Sequence, residues 1–309
     1  MLTIFKNGEL GLAPLAEPVN GCWINVIDPS PEEIIQLQIL GIPQDYILYP
    51  LDVDERARTE RENGDVLIVL RIPYFQGRNA DVPYTTIPLG IILNECTIVT
   101  VCKRDNEILQ ELISGRIKGL STAKRQRFIL RLLLVSAHKY LNYLREITKV
   151  VDALEDQLQL STRNKEVLEL LKFQKSLTYF TTALKSNELM MERLQRSQMF
   201  KAFPEDEDLL EDVLTENQQA IEMTNIASNI LSSMMDAFAS IISNNLNAVM
   251  KFLASITIVL SLPTMIASFY GMNVRLPLAG HPAAFLLTLA LSFLITIPVV
   301  LFFMKRDWF

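Results

Sequence analysis

The chain has 309 residues, 50% of them hydrophobic, with a formal net charge of −6 and a pI of about 5.2. This length accommodates one large domain or two ordinary ones. The acidic balance argues against a nucleic-acid partner, because phosphate binding needs a basic face. The mean hydropathy of +0.22 is high for a protein that is soluble throughout.

Residues 1–119 contain most of the glycines and several short runs rich in β-branched residues, such as "DVLIVLRIPYF" and "TIVTVC". Between them, "SPEEIIQLQILG" predicts a helix with Ser30 as N-cap, Pro31 at its first position and Glu33 completing a capping box. Strands mixed with helices predict a cytoplasmic α/β or α+β domain.

The cysteines Cys22, Cys96 and Cys102 are odd in number and stand in apolar, strand-like runs. They do not form a disulfide framework, so we expect three buried free thiols in a reducing compartment. The N-terminal stretch "MLTIFKNGEL" has neither a basic start nor a long apolar run, which predicts no signal peptide.

Residues 120–203 lack glycine and proline and carry apolar residues at helical spacing, which predicts a helical hairpin of the same cytoplasmic domain. The expected break is "STRN" at 161–164, with Ser161 or Thr162 capping the second helix. Glycine and proline are again absent from Glu205 to Leu262. We therefore predict a stalk helix over 204–250 that continues into a membrane span.

The C-terminal residues 251–309 form the predicted transmembrane domain. Two apolar runs, at about 252–270 and 283–304, are each long enough to cross a bilayer, and a short outer loop, 271–282, joins them. Lys251, Lys305 and Arg306 flank the runs on one side. The positive-inside rule then predicts a multi-pass protein of the inner (plasma) membrane, in contact with lipid, with both termini in the cytoplasm.

No catalytic motif is present: the sequence has two histidines and no HExxH, CxxC or nucleotide-binding glycine loop. His281, alone in the outer loop, is better explained as a solvated loop residue than as a metal ligand, which needs convergent partners. The sequence therefore does not predict an enzyme.

One face of the first span is nearly all small or polar. Its residues follow one another at three- or four-residue steps: Asn247, Met250, Ala254, Thr257, Ser261, Thr264 and Ser268. Close helix packing explains such a stripe, and so does a water-facing pore lining. Two spans cannot enclose a pore, so the second explanation requires an oligomer. Pro263 breaks the backbone ladder here, and Thr264 beside it is expected to satisfy a freed group.

The first span ends in Tyr270-Gly271-Met272-Asn273. With a preceding stalk helix, a short loop, a second span and the tail "KRDWF", this setting resembles the CorA family of two-span divalent-cation channels. The resemblance implies a funnel-shaped homopentamer whose first spans line the pore. It also implies an outer ring of Asn273 that binds hydrated Mg²⁺, with Tyr270 and Gly271 shaping the ring. Asn247, Thr257, Ser261, Thr264 and Ser268 would line the pore, and Met250 and Leu253 would form a hydrophobic gate.

The resemblance further implies a regulatory Mg²⁺ site at Asp212, with Asp208 beside it, in the acidic run "EDEDLLED". Acidic residues at a helix start explain that run equally well. Asp52, Asp54 and Glu55 are candidates for the partner carboxylate by composition alone. Mg²⁺ would be both the transported and the regulatory ion, and no organic cofactor is expected.

The ion's identity is left open by departures from the commoner pattern: Arg275 replaces acidic residues in the outer loop, and Ser268 stands where glycine is frequent. The leading expectation is Mg²⁺ uptake, with Co²⁺ or Ni²⁺ as further substrates, driven by the membrane potential. The alternatives are a Zn²⁺ transporter of the same family, proton-coupled or not, and a membrane-anchored scaffold or sensor without ion flux.

Overall fold

The computed structural model describes residues 1–309 except 9–10, 116, 118, 161–163, 198, 201–202, 275, 278–279, 307 and 309; for 157–160 and 164–166 it describes the backbone alone. The predicted helix cap at Ser161 or Thr162 and the outer-loop Arg275 therefore lie outside the described residues. The chain divides into two compact units, Met1–Met235 and Asp236–Phe309.

The described part of the first unit contains one seven-stranded mixed sheet. Its strand order is β2-β1-β3-β7-β6-β5-β4, and only the central β3–β7 pair is parallel. The strands are β1 Leu2–Gly8, β2 Gly11–Leu15, β3 Trp23–Ile27, β4 Arg58–Glu62, β5 Asp65–Phe75, β6 Tyr84–Leu93 and β7 Ile98–Cys102.

Both faces of the middle of this sheet are covered, which explains why β5, β6 and β7 are largely apolar without alternation. Along β5, Leu67 and Val69 belong to one buried cluster, while Ile68 and Leu70 belong to the other. The helices that lie wholly in the described part of this unit are α1 Pro31–Ile39, α2 Gln44–Leu48, α3 Glu107–Ile113, α4 Arg125–Leu160 and α5 Asn164–Arg196. α1 and α2 pack on one face, and α3, α4 and α5 pack on the other.

The N-terminus of α1 has the predicted capping box. The Ser30 hydroxyl accepts a hydrogen bond from the Glu33 amide, and the Glu33 carboxylate accepts one from the Ser30 amide. A short 3₁₀ turn, Tyr49–Leu51, crosses β6 closely at Gly90, where a Cβ atom would lie 2.2 Å from Cγ of Pro50. Only glycine fits at that crossing.

A single long helix, α6, runs from Pro204 to Tyr270, and α7 runs from Ala284 to Lys305. The first turns of α6 bury Leu209, Leu210 and Val213 in the same cluster as the sheet. An α/β domain, a long helix and a C-terminal helix are the fold class that the sequence predicts, and the prediction is confirmed.

The cysteine prediction is wrong for one residue. Cys22 and Cys102 are buried, but Cys96 is exposed. Cys96 lies in the turn between β6 and β7, where the Asn94 side chain accepts hydrogen bonds from the amides of Cys96 and Thr97 and thus ends the strand before the cysteine. Burial raises the pKa of the Cys102 thiol to about 11, which keeps it protonated at neutral pH.

We expect a maleimide reagent at neutral pH to label Cys96 rapidly in the folded protein and to leave Cys22 and Cys102 unlabelled. Thiolate formation and access both control the reaction, and only Cys96 is accessible. Mass spectrometry of peptides from native and urea-unfolded protein measures this. The Cys96→Ser variant serves as the control, and fast native labelling of that variant would contradict the assignment.

Candidate ion-conduction site

Two described helices, α6 and α7, are long and apolar enough to cross a membrane. A soluble protein buries such helices, yet only 6% of the apolar window in α6 and none of that in α7 is buried. Phe285 and Leu294, for example, expose 77% and 71% of their surface. Surfaces this apolar and this exposed need a nonaqueous neighbour, which a lipid bilayer supplies.

One face of the C-terminal part of α6 lies along α7. Ser255 and Ile266 are buried there. Further along the same face, Pro263 and Tyr270 line a cleft of about 440 Å³ together with Leu289 and other residues of α7. Tyr270 is thus partly covered by α7.

Residues at three- or four-residue steps share one face of a helix, so the small and polar residues form a single stripe. This stripe lies on the side of α6 that points away from α7. Thr257, Ser261, Thr264 and Ser268 are all exposed. Packing against α7 therefore does not explain the stripe within one chain. Packing against another copy of the chain and a water-facing pore lining both stay open as explanations.

Three of the four hydroxyl groups of the stripe donate their proton to a backbone carbonyl. Oγ1 of Thr257 donates to the carbonyl of Leu253 at 2.7 Å, and Oγ1 of Thr264 donates to that of Leu260 at 2.9 Å. Oγ of Ser261 donates to the carbonyl of Ile258 at 2.9 Å. A hydroxyl with its proton committed to the backbone presents only lone pairs outward. The stripe therefore offers acceptors, which suit the outward-pointing hydrogens of a hydrated cation.

Thr264 does not compensate for Pro263 in the expected way. Pro263 has no amide N–H, so the carbonyl of Val259 loses its helical donor. The Thr264 hydroxyl donates to Leu260 instead, the carbonyl four residues before it. The side chain geometry of threonine on a helix favours its own i−4 carbonyl, so that expectation is wrong.

The predicted gate residues lie at the beginning of the span. Met250 and Leu253 expose 59% and 53% of their surface, on the stripe side of α6. Asn247 and Met250 line a cavity of about 560 Å³ with Trp308. The tail is held there by Ser255, whose hydroxyl lies 3.2 Å from the carbonyl of Trp308, and by stacking of Trp308 on Phe303.

The Tyr-Gly-Met-Asn motif is the end of α6 and the turn after it. α6 ends at Tyr270, and the Gly271 amide donates to the carbonyl of Ala267 at 2.9 Å. Gly271 does not adopt the left-handed conformation. Asn273 is exposed and its amide has no partner among the described residues.

His281, further along the loop, accepts a hydrogen bond at Nδ1 from the Ala283 amide and so supports the start of α7.

The acidic run at the start of α6 divides into paired and unpaired carboxylates. Arg127 of α4 forms ion pairs with Asp206 at 2.6 Å and with Glu205 at 2.8 Å. The hydrogen bond to Asp206 is the main cause of the raised pKa of the Arg127 guanidinium. Asp206 is buried, whereas Asp208 and Asp212 are exposed, one turn apart, and form no ion pair within the described residues. Sequence reasoning missed the Arg127 pair, because 79 positions separate its partners.

Asp52, Asp54 and Glu55, the candidate partner carboxylates of the regulatory site, differ in their contacts. Glu55 forms an ion pair with Arg58. Asp52 accepts a hydrogen bond from the Asp54 amide, and both carboxylates are exposed. The described residues contain no cluster of three or more side chains able to hold a metal.

An α/β domain, a long helix that ends as a span and a second span after a short loop define an integral membrane protein of the two-span type. The family model for "CorA-like Mg2+ transporter protein" matches residues 20–306. The chain therefore belongs to the CorA family.

Relatives agree with this placement along nearly their whole length. The cobalt/magnesium transport protein CorA of Methanocaldococcus jannaschii is 29% identical over 93% of this chain and 90% of its own. That of Thermotoga maritima is 22% identical over 98% and 88%. The solved structure of the M. jannaschii CorA magnesium transporter superposes with a TM-score of 0.86 at 26% identity, covering 100% of this chain and 99% of that one.

Proposed function

We propose that the protein is a homopentameric channel of the inner membrane that carries Mg²⁺ into the cell, with Co²⁺ or Ni²⁺ as further substrates. The observation that carries the proposal is the acceptor-only hydroxyl stripe on the side of α6 that α7 leaves open. Copies arranged around an axis would face these stripes inward and enclose a polar path. The relatives named cobalt/magnesium transport proteins support the choice of ion.

Mg²⁺ gives up its water reluctantly, so the entrance has to recognise a hydrated ion. A ring of exposed Asn273 amides would accept hydrogen bonds from the bound water without displacing it. The ring is uncharged, so it would not hold the ion too tightly for release. Inside the path, the hydroxyls of Thr257, Ser261 and Thr264 would in turn accept hydrogen bonds from the water bound to the ion as it moves.

At the inner end, Met250 and Leu253 would close the path by excluding water when the chains approach one another. Lys251, Lys305 and Arg306 would lie on the cytoplasmic side, which places both termini there. With an inside-negative potential, a divalent cation gains about 4.6 kcal/mol per 100 mV on entry, twice the value for a single charge. That gradient alone would drive uptake.

The proposal is tested by ion entry into liposomes that contain the purified protein, with Mg²⁺, Co²⁺ or Zn²⁺ outside and an imposed inside-negative potential. We expect Mg²⁺ entry that follows the potential and is blocked by hexaamminecobalt, a mimic of hydrated Mg²⁺. Zn²⁺ entry that follows a proton gradient instead would make the protein a zinc transporter. Absence of flux for every ion would favour a scaffold or sensor.

Replacing both Thr257 and Thr264 by valine should lower the Mg²⁺ flux about 2- to 10-fold, since each hydroxyl supplies one modest hydrogen bond to the ion's water. Valine keeps the shape of threonine, so the helix should still form. The Thr288→Val variant is the matched control: that hydroxyl also donates to its i−4 carbonyl, but it lines the cleft facing α6. Equal losses in both variants would argue against a pore lining.

A further inference from the structure

A cavity of about 1130 Å³ lies within the first unit, away from the residues of the proposed conduction path. The hairpin of β4 and β5, the end of α5 and the beginnings of α4 and α6 enclose it. Its volume is somewhat larger than that of most sites that bind small organic ligands. No part of the transport proposal uses this cavity.

Its walls carry an excess of unpaired positive charge. Arg61, Lys124, Arg125 and Arg193 line it, and none forms an ion pair within the described part of the chain. Arg125 donates only to a neutral group, the carbonyl of Asn94.

Three of the four carboxylates that line the cavity are in ion pairs, two of them with the same arginine. Arg127 binds Glu205 and Asp206, and Arg58 binds Glu60. Glu95 alone lines the cavity without an ion pair among the described residues. In all, five cationic and four acidic side chains line the cavity. In a chain whose net charge is −6, this local excess of cations favours an anionic occupant.

The beginning of α4 also favours an anionic ligand in the cavity. Its first helical hydrogen bond runs from the Phe128 amide to the carbonyl of Lys124, so the amides of 125–127 have no helical acceptor. The first turn contains no acidic residue. Cationic side chains at the positive end of a helix are unfavourable by themselves, and an anion beside them offsets that cost.

Part of the lining is apolar and includes an exposed aromatic ring. Leu194, Met199 and Val66 contribute to the wall, and Phe203 exposes 60% of its surface beside them. A simple inorganic anion would leave this surface in water. A ligand with an aromatic ring would cover it and would stack on Phe203.

We propose that this cavity is a nucleotide-binding site. Lys124, Arg125, Arg61 and Arg193 bind the phosphates, and Phe203 with the apolar wall binds the base. α6 begins at the cavity with Pro204, so the cytoplasmic nucleotide pool acts on the first turn of the helix that also carries Asp208 and Asp212.

Calorimetric titration of the purified full-length protein, in detergent and Mg²⁺-free buffer, tests the site with ATP, tripolyphosphate and adenosine as probes. ATP should bind saturably, and tripolyphosphate about tenfold more weakly because it lacks a base to stack. The Lys124→Ala/Arg193→Ala variant should weaken ATP binding by at least about tenfold, since it removes two charge-assisted contacts.

Arg196→Ala is the matched control, because this arginine lies one turn beyond Arg193, pairs with Glu192 and does not line the cavity. Phe203→Ala should weaken ATP but leave tripolyphosphate unchanged. The wild-type comparison of probes does not depend on any variant folding, and binding is read without ion flux. No saturable ATP binding, equal loss in the Arg196→Ala control, or equal affinity for ATP and tripolyphosphate would each overturn the proposal.

Discussion

Replacing Asn273 by alanine is expected to reduce potential-driven Mg²⁺ entry to the level of liposomes without protein. The Asn273 amide is exposed directly after the end of α6 and has no partner among the described residues. Its replacement therefore breaks no hydrogen bond among the described residues. Replacing it in every copy would remove the amide oxygens that we propose to accept hydrogen bonds from the hydrated ion. The methyl group of alanine cannot form such hydrogen bonds with the water bound to Mg²⁺. A Mg²⁺-sensitive dye inside the liposomes measures the entry.

The neighbouring Met272→Leu variant is the control for this result, because Met272 is exposed in the same turn and its side chain stays apolar. It should transport at the wild-type rate. Size-exclusion chromatography of both variants shows whether the oligomer is intact. Wild-type flux through an intact Asn273→Ala oligomer would exclude the amide ring as the entrance.

The fold could be predicted from sequence wherever the signal is local. The Ser30 capping box depends on residues three positions apart, and the helix it predicts is present. The apolar runs of β5 and β6 are strands because both of their faces are buried. The parallel pairing of β3 with β7 has no local signal, because the partners Trp23 and Ile98 lie far apart in the chain.

The candidate site shows the same limit. The three- and four-residue spacing predicts that the hydroxyls of Thr257, Ser261 and Thr264 share one face of the helix. It does not predict which face α7 covers. Asp206 looked equivalent to Asp208 in the acidic run, yet Arg127 binds one and leaves the other exposed. Cys96 looked like a strand residue until the Asn94 turn ended the strand before it. In each case a contact from outside the motif decides the outcome.

Replacing Asp208 and Asp212 together by asparagine should weaken the inhibition of Mg²⁺ entry by Mg²⁺ on the cytoplasmic side, raising the inhibitory concentration about fivefold or more. The two carboxylates are exposed one turn apart on α6 and repel each other when unoccupied. We propose that Mg²⁺ bound to them and to a neighbouring copy relieves the repulsion and holds the channel closed. Flux measured against increasing Mg²⁺ inside preloaded liposomes gives the inhibitory concentration.

The matched control is Glu211→Gln, which removes one exposed charge from the same turn of α6. If the effect came from the overall charge of the acidic run, Glu211→Gln and the single Asp212→Asn variant would shift the inhibition equally. If it came from a bound ion, only the aspartate variants would shift it. Asp206 is unsuitable for this comparison, since its ion pair with Arg127 joins α6 to α4 and its loss would disturb the domain itself. Unchanged inhibition in the Asp208→Asn/Asp212→Asn protein would place the regulatory ion elsewhere, with exposed Asp52 and Asp54 the next carboxylates to replace.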